Sequence, residues 1–393
     1  MPASARRSYE KCEEPVKIVL TGFHFDTIGG LEIVSANIAR SLVDAGHEVQ
    51  CAAVHGRGTT RKNGCRIVGL APHNKLLRAL AVRYSFFYPK RQLRELIAWA
   101  DVIIACHCHT LPIVYDCRGN RATRPPVVAW LHGREVWGRA GRECAGALRQ
   151  ADRLVAVSRY TSDTVVDLLG SGYRPRVIHN SIDTGLFRPL PDNADVSRLC
   201  VLTVGRHAAG TEHKGYDMLI DAVALLRRRE PPLVLKLQIV GDGPLLPSLR
   251  ARSAALGIAD SVEFTGAVPR DELRRLYATC DVFAFPSRVR GDRGEVYGEG
   301  FGVVNIEAAA CGRPVLTSTH GGCPETILDG VTGVLVDPTS VEAVADGLER
   351  LFRITAAERD RMGQRGRQRV LENFSHATLS QKLTELLDGL PTG

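Results

Sequence analysis

A short apolar run, a glycine turn, an amphipathic stretch and a second apolar run follow one another twice along this chain. That recurrence constrains the fold more than any other feature. The first unit comprises residues 16–21, the pair Gly29-Gly30, a helical stretch over 31–45 closed by Gly46, and an apolar run over 47–54. Further short strands are expected at 101–105, 127–131, 153–157 and 176–178, with helical stretches between some of them. Apolar runs of strand length joined through helices assemble as a parallel sheet, because each crossover helix has to cover one face of it. The pattern restarts at 199–205. It continues through a helix near 217–228, a strand at 233–240, a helix around 245–256, and strands at 262–264, 282–285 and 314–317. The expected architecture is therefore α/β, with two doubly wound parallel-sheet domains in tandem and a ligand cleft between them. The hinge is expected at 183–197, where Pro189, Pro191, Asp192, Asn193 and Asp195 interrupt regular structure.

A length of 393 residues accommodates two such domains, and 44% hydrophobic with 24% charged residues describes a soluble globular chain. The formal charge of +8 comes mostly from arginine and is spread along the sequence. It suits anionic ligands such as nucleotide diphosphates without requiring nucleic acid. The first ten residues lack the apolar core of a secretory signal, and no run approaches the roughly 20 apolar residues of a membrane span, so a cytoplasmic location is expected. Eleven cysteines at irregular spacing read as reduced thiols. The run Cys106-His107-Cys108-His109 suggests a metal, but it follows a strand. Alternating side chains there point to opposite faces, so one metal could not readily take all four and no metal site is expected.

Several motifs carry candidate chemistry. Glu299 and Glu307 bracket a glycine-rich turn, Gly298 to Gly302, that opens a helix after the strand at 281–286. Free amides at a helix start suit phosphate, and carboxylates accept hydrogen bonds from vicinal hydroxyls, which fits a sugar beside a diphosphate. Read alone, the pattern equally fits a solvated acidic helix start. Arg206 ends a strand and Lys214 follows eight residues later, either as a cationic pair for a diphosphate leaving group or as surface charge. His132 sits just beyond an apolar strand, at the edge where α/β sheets bind ligands, as a substrate contact or base, or as a core-satisfying histidine. Gly29-Gly30 permits close backbone approach but lacks the dinucleotide fingerprint. The chain contains neither an Asp-x-Asp triplet nor a phosphate-binding Gly-x-x-x-x-Gly-Lys-Ser/Thr loop. Residues 75–91 mix bases with apolar and aromatic residues, as an amphipathic packed helix, an acceptor lid or a membrane-surface segment would.

In this order the motifs resemble the retaining nucleotide-sugar glycosyltransferases of family 4. The resemblance is carried by Gly29-Gly30-Leu31-Glu32, His132-Gly133, the segment 177–183 with Phe187 and Pro189, Gly205-Arg206 with Lys214-Gly215, 240–244, 264–268, Glu299 to Glu307 and Phe374-Ser375. It implies the GT-B fold, two Rossmann-like domains facing a cleft. Residues 1–188 would bind the acceptor, joined by a terminal helix, 377–393, that crosses back, and residues 189–376 would bind the donor. It implies that Arg206 and Lys214 hold the donor diphosphate with the amides of Gly300, Phe301 and Gly302, and that Glu307 binds the ribose. Glu299 would touch the transferred sugar, whose 6-position side faces His132. Val268 would lie beside the nucleobase, and Gly29 and Gly30 between diphosphate and acceptor. The catalytic set so implied is His132, Arg206, Lys214 and Glu299, with no carboxylate nucleophile, no metal and no cofactor beyond the nucleotide-sugar co-substrate.

The loop 287–297 is longer than in many family members and is similar to that of transferases mannosylating phosphatidylinositol and of enzymes building aminoglycoside antibiotics. Its three arginines suit a clamp on donor or acceptor, or exposed charge. The expected reaction is hexosyl transfer from a UDP-sugar to a small soluble acceptor, an aminocyclitol pseudo-disaccharide such as a paromamine- or neamine-like compound in antibiotic biosynthesis. Accessible carboxylates at Asp26, Glu32 and Glu135 would receive that polycation. The alternatives are a peripheral membrane mannosyltransferase using GDP-mannose and a lipid acceptor, and a non-catalytic nucleotide-sugar binding protein.

Overall fold

The computed structural model describes residues 14–25, 30–56, 58–62, 64–71, 90–119, 124–190 and 199–390. The first half contributes β1 (Lys17–Gly22), β2 (Glu48–Ala53), β3 (Thr59–Lys62), β4 (Cys65–Gly69), β5 (Val102–Ala105), β6 (Val127–Leu131), β7 (Arg153–Ala156) and β8 (Arg176–Val177). They form one sheet in the order β3-β4-β2-β1-β5-β6-β7-β8, parallel throughout except for the β3–β4 hairpin. The second half contributes β9 (Leu199–Val204), β10 (Leu235–Val240), β11 (Val262–Gly266), β12 (Val282–Phe285), the two short strands β13 (Arg290–Asp292) and β14 (Glu295–Tyr297), β15 (Val315–Ser318) and β16 (Gly333–Val336). Apart from the β13–β14 hairpin these make a parallel sheet, β11-β10-β9-β12-β15-β16. The GT-B arrangement of two doubly wound sheets is thus the observed one.

The central strands β5, β6 and β12 are buried at every residue, as helices on both faces require. The edge strand β3, Thr-Thr-Arg-Lys, is exposed at every position, so apolar patterning could not reveal it.

Strand order reverses between β1 and β5 in the first sheet and between β9 and β12 in the second. At such a switch point neighbouring loops leave in opposite directions and open a crevice beyond the strands' carboxyl ends. The loops after β5 and β6 therefore carry Cys106 to His109 and His132, while those after β9 and β12 carry Arg206, Lys214 and Glu299.

The last helix, His376–Asp388, returns to the first half. It buries Leu379, Leu383 and Leu386, and Ser380 Oγ donates to the Ser41 carbonyl (3.0 Å) on the helix Gly30–Asp44. The crossing is fixed where Ile182 N donates to Phe374 O (2.9 Å) and where Ser375 caps the returning helix. In the expected hinge, Asp183 accepts from the amides of Gly185 and Leu186 and pairs with Arg40, each at 3.0 Å. Positions 191–197 of that hinge lie outside the described residues, as do Asp26, Gly29 and residues 75–89.

Candidate active site

Two glycines deliver Lys214 into the crevice between β9 and β12. A Cβ on Gly205 would lie 2.4 Å from Tyr216 Oη and 3.3 Å from Lys214 Nζ. Gly215 has φ +79°, and its Cβ would meet the Pro286 carbonyl at 2.2 Å. Lys214 ends the short turn Glu212–Lys214, lies over the Phe285 ring (5.4 Å) and places Nζ 3.1 Å from Glu299 Oε1. His213 Nε2 approaches the same oxygen at 3.6 Å. Burial alone would raise the Glu299 carboxyl, but Lys214 and His213 hold it down at about 2. Arg206 is exposed, and no carboxylate pairs with it among the described residues.

The glycine turn meets the other half of the molecule. Gly302 (φ +87°) starts the helix Val303–Ala310, and fully buried Asn305 steadies that start by donating to Thr317 Oγ1 (3.0 Å) and Thr326 Oγ1 (3.1 Å). A Cβ on Gly300 would fall 1.7 Å from the His132 carbonyl oxygen. The Glu299–Gly302 turn and the His132-Gly133 loop are therefore in backbone contact, and only glycine fits between them.

On the same helix, Glu307 accepts from Tyr277 Oη (2.8 Å). Burial raises its carboxyl to about 7 against the Tyr277 hydrogen bond and Arg270. A folded value above the unfolded one makes this group's stabilisation complete below about 4.5 and lost as pH rises through about 7. The Glu307→Gln variant is expected to gain up to about 3 kcal/mol over wild type at pH 8 and nothing at pH 4. Thermal unfolding across that range checks this, and parallel profiles would contradict it.

His132 Nε2 lies 2.8 Å from the Cys106 carbonyl oxygen, so Nε2 carries the proton and Nδ1 keeps its lone pair. Burial lowers the His132 pKa against Glu135, the Cys106 carbonyl and Glu32, which leaves the ring neutral at pH 7. Glu135 corrects an expectation. It is 8% exposed, and its carboxylate folds back to accept from the His132 amide, so it is not an accessible contact for a polycation. Glu32 is half-buried in the first turn of Gly30–Asp44. Gly30 opens that helix with empty space where a Cβ would stand. Val268 lies half-buried beyond β11, outside the Lys214–Glu299 cluster.

The arginine-bearing loop is internally paired. Arg288 binds Asp217 (2.7 Å) and Arg290 binds Glu212 (2.9 Å), so neither guanidinium is unpaired, while Arg293 sits at the β13–β14 turn with φ +49°. The hairpin docks on the first half through Arg139 N to Gly294 O (2.9 Å) and the Arg134 guanidinium 4.6 Å above Tyr297.

A second bridge was not legible in the sequence. Glu325 accepts from the amides of Arg159 (2.8 Å) and Tyr160 (3.4 Å), two free donors at the start of the helix Arg159–Leu169, and faces His179 Nε2 at 3.0 Å. His213, Tyr277 and Glu325 were all missed, because each matters through a partner far away in the chain.

Beyond β5 the side chains do not alternate between faces as expected. β5 stops at Ala105, and Cys108–Thr110 form a tight turn, so His107, Cys108 and His109 bring one ligand atom each to within 4.8 Å of one another. Of the basic apolar stretch, only Lys90 and Arg91 are described. They start the helix Lys90–Trp99 and pair with Asp116 and Glu95. Among the described residues no helix is long and apolar enough to cross a membrane.

Comparison with known proteins bears on what this cleft serves. The Glycosyltransferase Family 4 profile matches residues 28–186, and the Glycosyl transferases group 1 profile matches 193–369. A GDP-mannose-dependent alpha-(1-6)-phosphatidylinositol monomannoside mannosyltransferase of Mycolicibacterium smegmatis is 39% identical over 285 residues, 69% of this chain and 72% of that protein. The chain belongs to the family 4 glycosyltransferases. The transferase is also 32% identical over 331 residues to a D-inositol 3-phosphate glycosyltransferase of Salinispora tropica, covering 76% of this chain and 64% of that one. In fold, the glycosyltransferase is similar to Anabaena HepE in complex with UDP and glucose, with a TM-score of 0.76 at 20% identity over 95% of this chain and 100% of that one.

Proposed function

We propose that this glycosyltransferase moves a mannosyl unit, with retention, from GDP-mannose to a hydroxyl of an acceptor that carries a cyclitol ring. The observation that carries the donor site is the Lys214–Glu299 pair at 3.1 Å, set on a glycine turn that touches His132-Gly133 of the other half. Lys214, exposed Arg206 and the amides of Gly300, Phe301 and Gly302 take the diphosphate and its growing charge as the glycosidic bond breaks. Glu307 takes the ribose hydroxyls, Glu299 a sugar hydroxyl, and Val268 lies beside the base. His132 meets the sugar from the β1/β5 side. Glu299 is spent on Lys214 and His213, which argues against its use as a nucleophile. The acceptor oxygen bonds to the anomeric carbon on the face the diphosphate leaves, and its proton passes to the leaving phosphate oxygen.

Donor and acceptor rest on the two relatives. One is GDP-mannose-dependent, and both names contain inositol, a cyclitol. The aminocyclitol expected from the sequence shares that ring class, so the UDP-sugar and pseudo-disaccharide reading is the other arm of the test. The transferase is incubated with GDP-mannose or UDP-sugars against inositol 3-phosphate, phosphatidylinositol mannoside and paromamine, and products are read by anomeric proton couplings. α-Mannosylation of an inositol acceptor is expected. UDP-dependent glycosylation of paromamine would replace this proposal, and failure of every pair would remove its basis.

A further inference from the structure

We propose that His107, Cys108, His109 and Cys144 form a binding site for a thiophilic divalent cation of the zinc type at the carboxyl end of β5. The local sequence builds the site in two steps. First, after β5 the backbone is extended at His107 (φ −159°, ψ 133°) and then coils into the Cys108–Thr110 turn, with the His109 amide donating to His107 Nδ1 (3.3 Å). The turn stacks the two imidazoles, with centroids 4.9 Å apart and planes at 24°, and sets their Nδ1 atoms 3.2 Å apart. Cys108 Sγ lies 4.0 Å from His109 Nδ1. Second, the helix Gly138–Leu148, from a different part of the chain, brings Cys144 Sγ to 2.8 Å from Cys108 Sγ.

His107, Cys108 and His109 already hold their ligand atoms within 4.8 Å of one another, and Cys144, in contact with Cys108, completes the N₂S₂ set preferred by Zn²⁺ when a cation draws it in. With Zn–N of about 2.0–2.1 Å, tetrahedral geometry sets neighbouring nitrogens about 3.3 Å apart, close to the imidazole separation here. The sulfurs sit closer than ordinary non-bonded contact, which even for carbon is about 3.5–4.0 Å, and farther apart than the ~2.05 Å of a disulfide. A cation between them lets both lose their protons and move apart by about 1 Å, to the separation that Zn–S bonds of ~2.3 Å impose. Ligation through His107 Nδ1 takes the place of the His109 amide hydrogen bond. Cys108 and Cys144 are 0% and 5% exposed whereas His109 is exposed, so the site is walled by protein and open at one ligand. It begins one residue after Cys106, whose carbonyl fixes the His132 ring, so an occupied site steadies the loop that positions His132.

The experiment uses the full chain, reduced and freed of metal by a chelator, and titrates it with Co²⁺ alone and then with Zn²⁺. The expected result is one Co²⁺ per chain with thiolate-to-cobalt charge-transfer absorption, displaced by Zn²⁺. Cys144→Ser and His109→Ala are each expected to weaken binding by about tenfold or more. His109 is exposed, so its alanine variant folds and keeps the test decisive if the core cysteine variant does not. Absence of the charge-transfer band, unchanged affinity in His109→Ala, or quantitative oxidation of Cys108 and Cys144 to a disulfide in protein that binds no Co²⁺ when reduced would overturn the proposal.

Discussion

The Lys214→Ala variant is expected to lose transfer activity by about 10²–10³-fold and to be less stable than wild type by about 2 kcal/mol at pH 7. Both effects come from one contact. Lys214 and Glu299 are 17% and 22% exposed, and the carboxyl is held at about 2 against the cost of its burial. Removing the ammonium leaves a largely buried carboxylate whose remaining ion-pair partner among the described residues is His213. Because the folded value lies below the unfolded one, the pair's stabilisation is present above about 4.5 and is lost as pH falls through about 2. The stability difference between Lys214→Ala and wild type should therefore shrink in strong acid. The double variant Lys214→Ala/Glu299→Gln should recover most of the stability at pH 7 and none of the activity. Denaturant unfolding and a radiolabelled-donor transfer assay separate the two. Recovery of activity in the double variant would contradict the assignment of Lys214 to the leaving group.

Gly300→Ala should be nearly as damaging to catalysis, for a different reason. The added Cβ would stand 1.7 Å from the His132 carbonyl oxygen and 2.8 Å from its carbon. Both partners are backbone, so no rotamer change relieves the clash, and the two halves must separate at the cleft. The bridges from Glu325 to Arg159 and from Gly294 to Arg139 are then strained or lost. A displacement of about 1 Å between donor and acceptor sides is enough for roughly a hundredfold loss in kcat. Nucleotide affinity should fall much less, because its proposed contacts lie in the second half. Gly146→Ala, with open space around the added Cβ, is the control. Equal loss of kcat and nucleotide affinity in Gly300→Ala would mean that the turn itself, and not the approach of the two halves, is what the substitution damages.

The parts of the fold legible in the sequence were those whose burial is written locally. Strands β5, β6 and β12 are continuous apolar runs because helices cover both faces, and their place in a doubly wound order followed from the helical stretches between them. β3 was illegible because an edge strand of Thr59, Thr60, Arg61 and Lys62 has no buried face to mark it. The site divides the same way. Glycine turns announced where Lys214 and Glu299 sit, but Tyr277, His213 and Glu325 owe their importance to tertiary partners that no local pattern encodes.

Two misreadings have identifiable physical causes. Glu135 looked like a surface acid, yet the turn Arg134–Val136 folds its carboxylate onto the His132 amide while Val136 and Trp137 go fully inside. Cys106 to His109 do not continue the strand's alternation, because β5 ends at Ala105 and Pro112 stands in the first turn of the helix Leu111–Arg118 that follows.

The proposed donor site lies in the crevice between β9 and β12. Calorimetric titration of GDP and UDP into wild type, Lys214→Ala and Glu307→Gln tests that most directly. One nucleotide per chain is predicted, with GDP tighter than UDP and both variants weakened by about tenfold or more. Nucleotide binding unchanged in both variants, or absent from the wild-type protein, would contradict it.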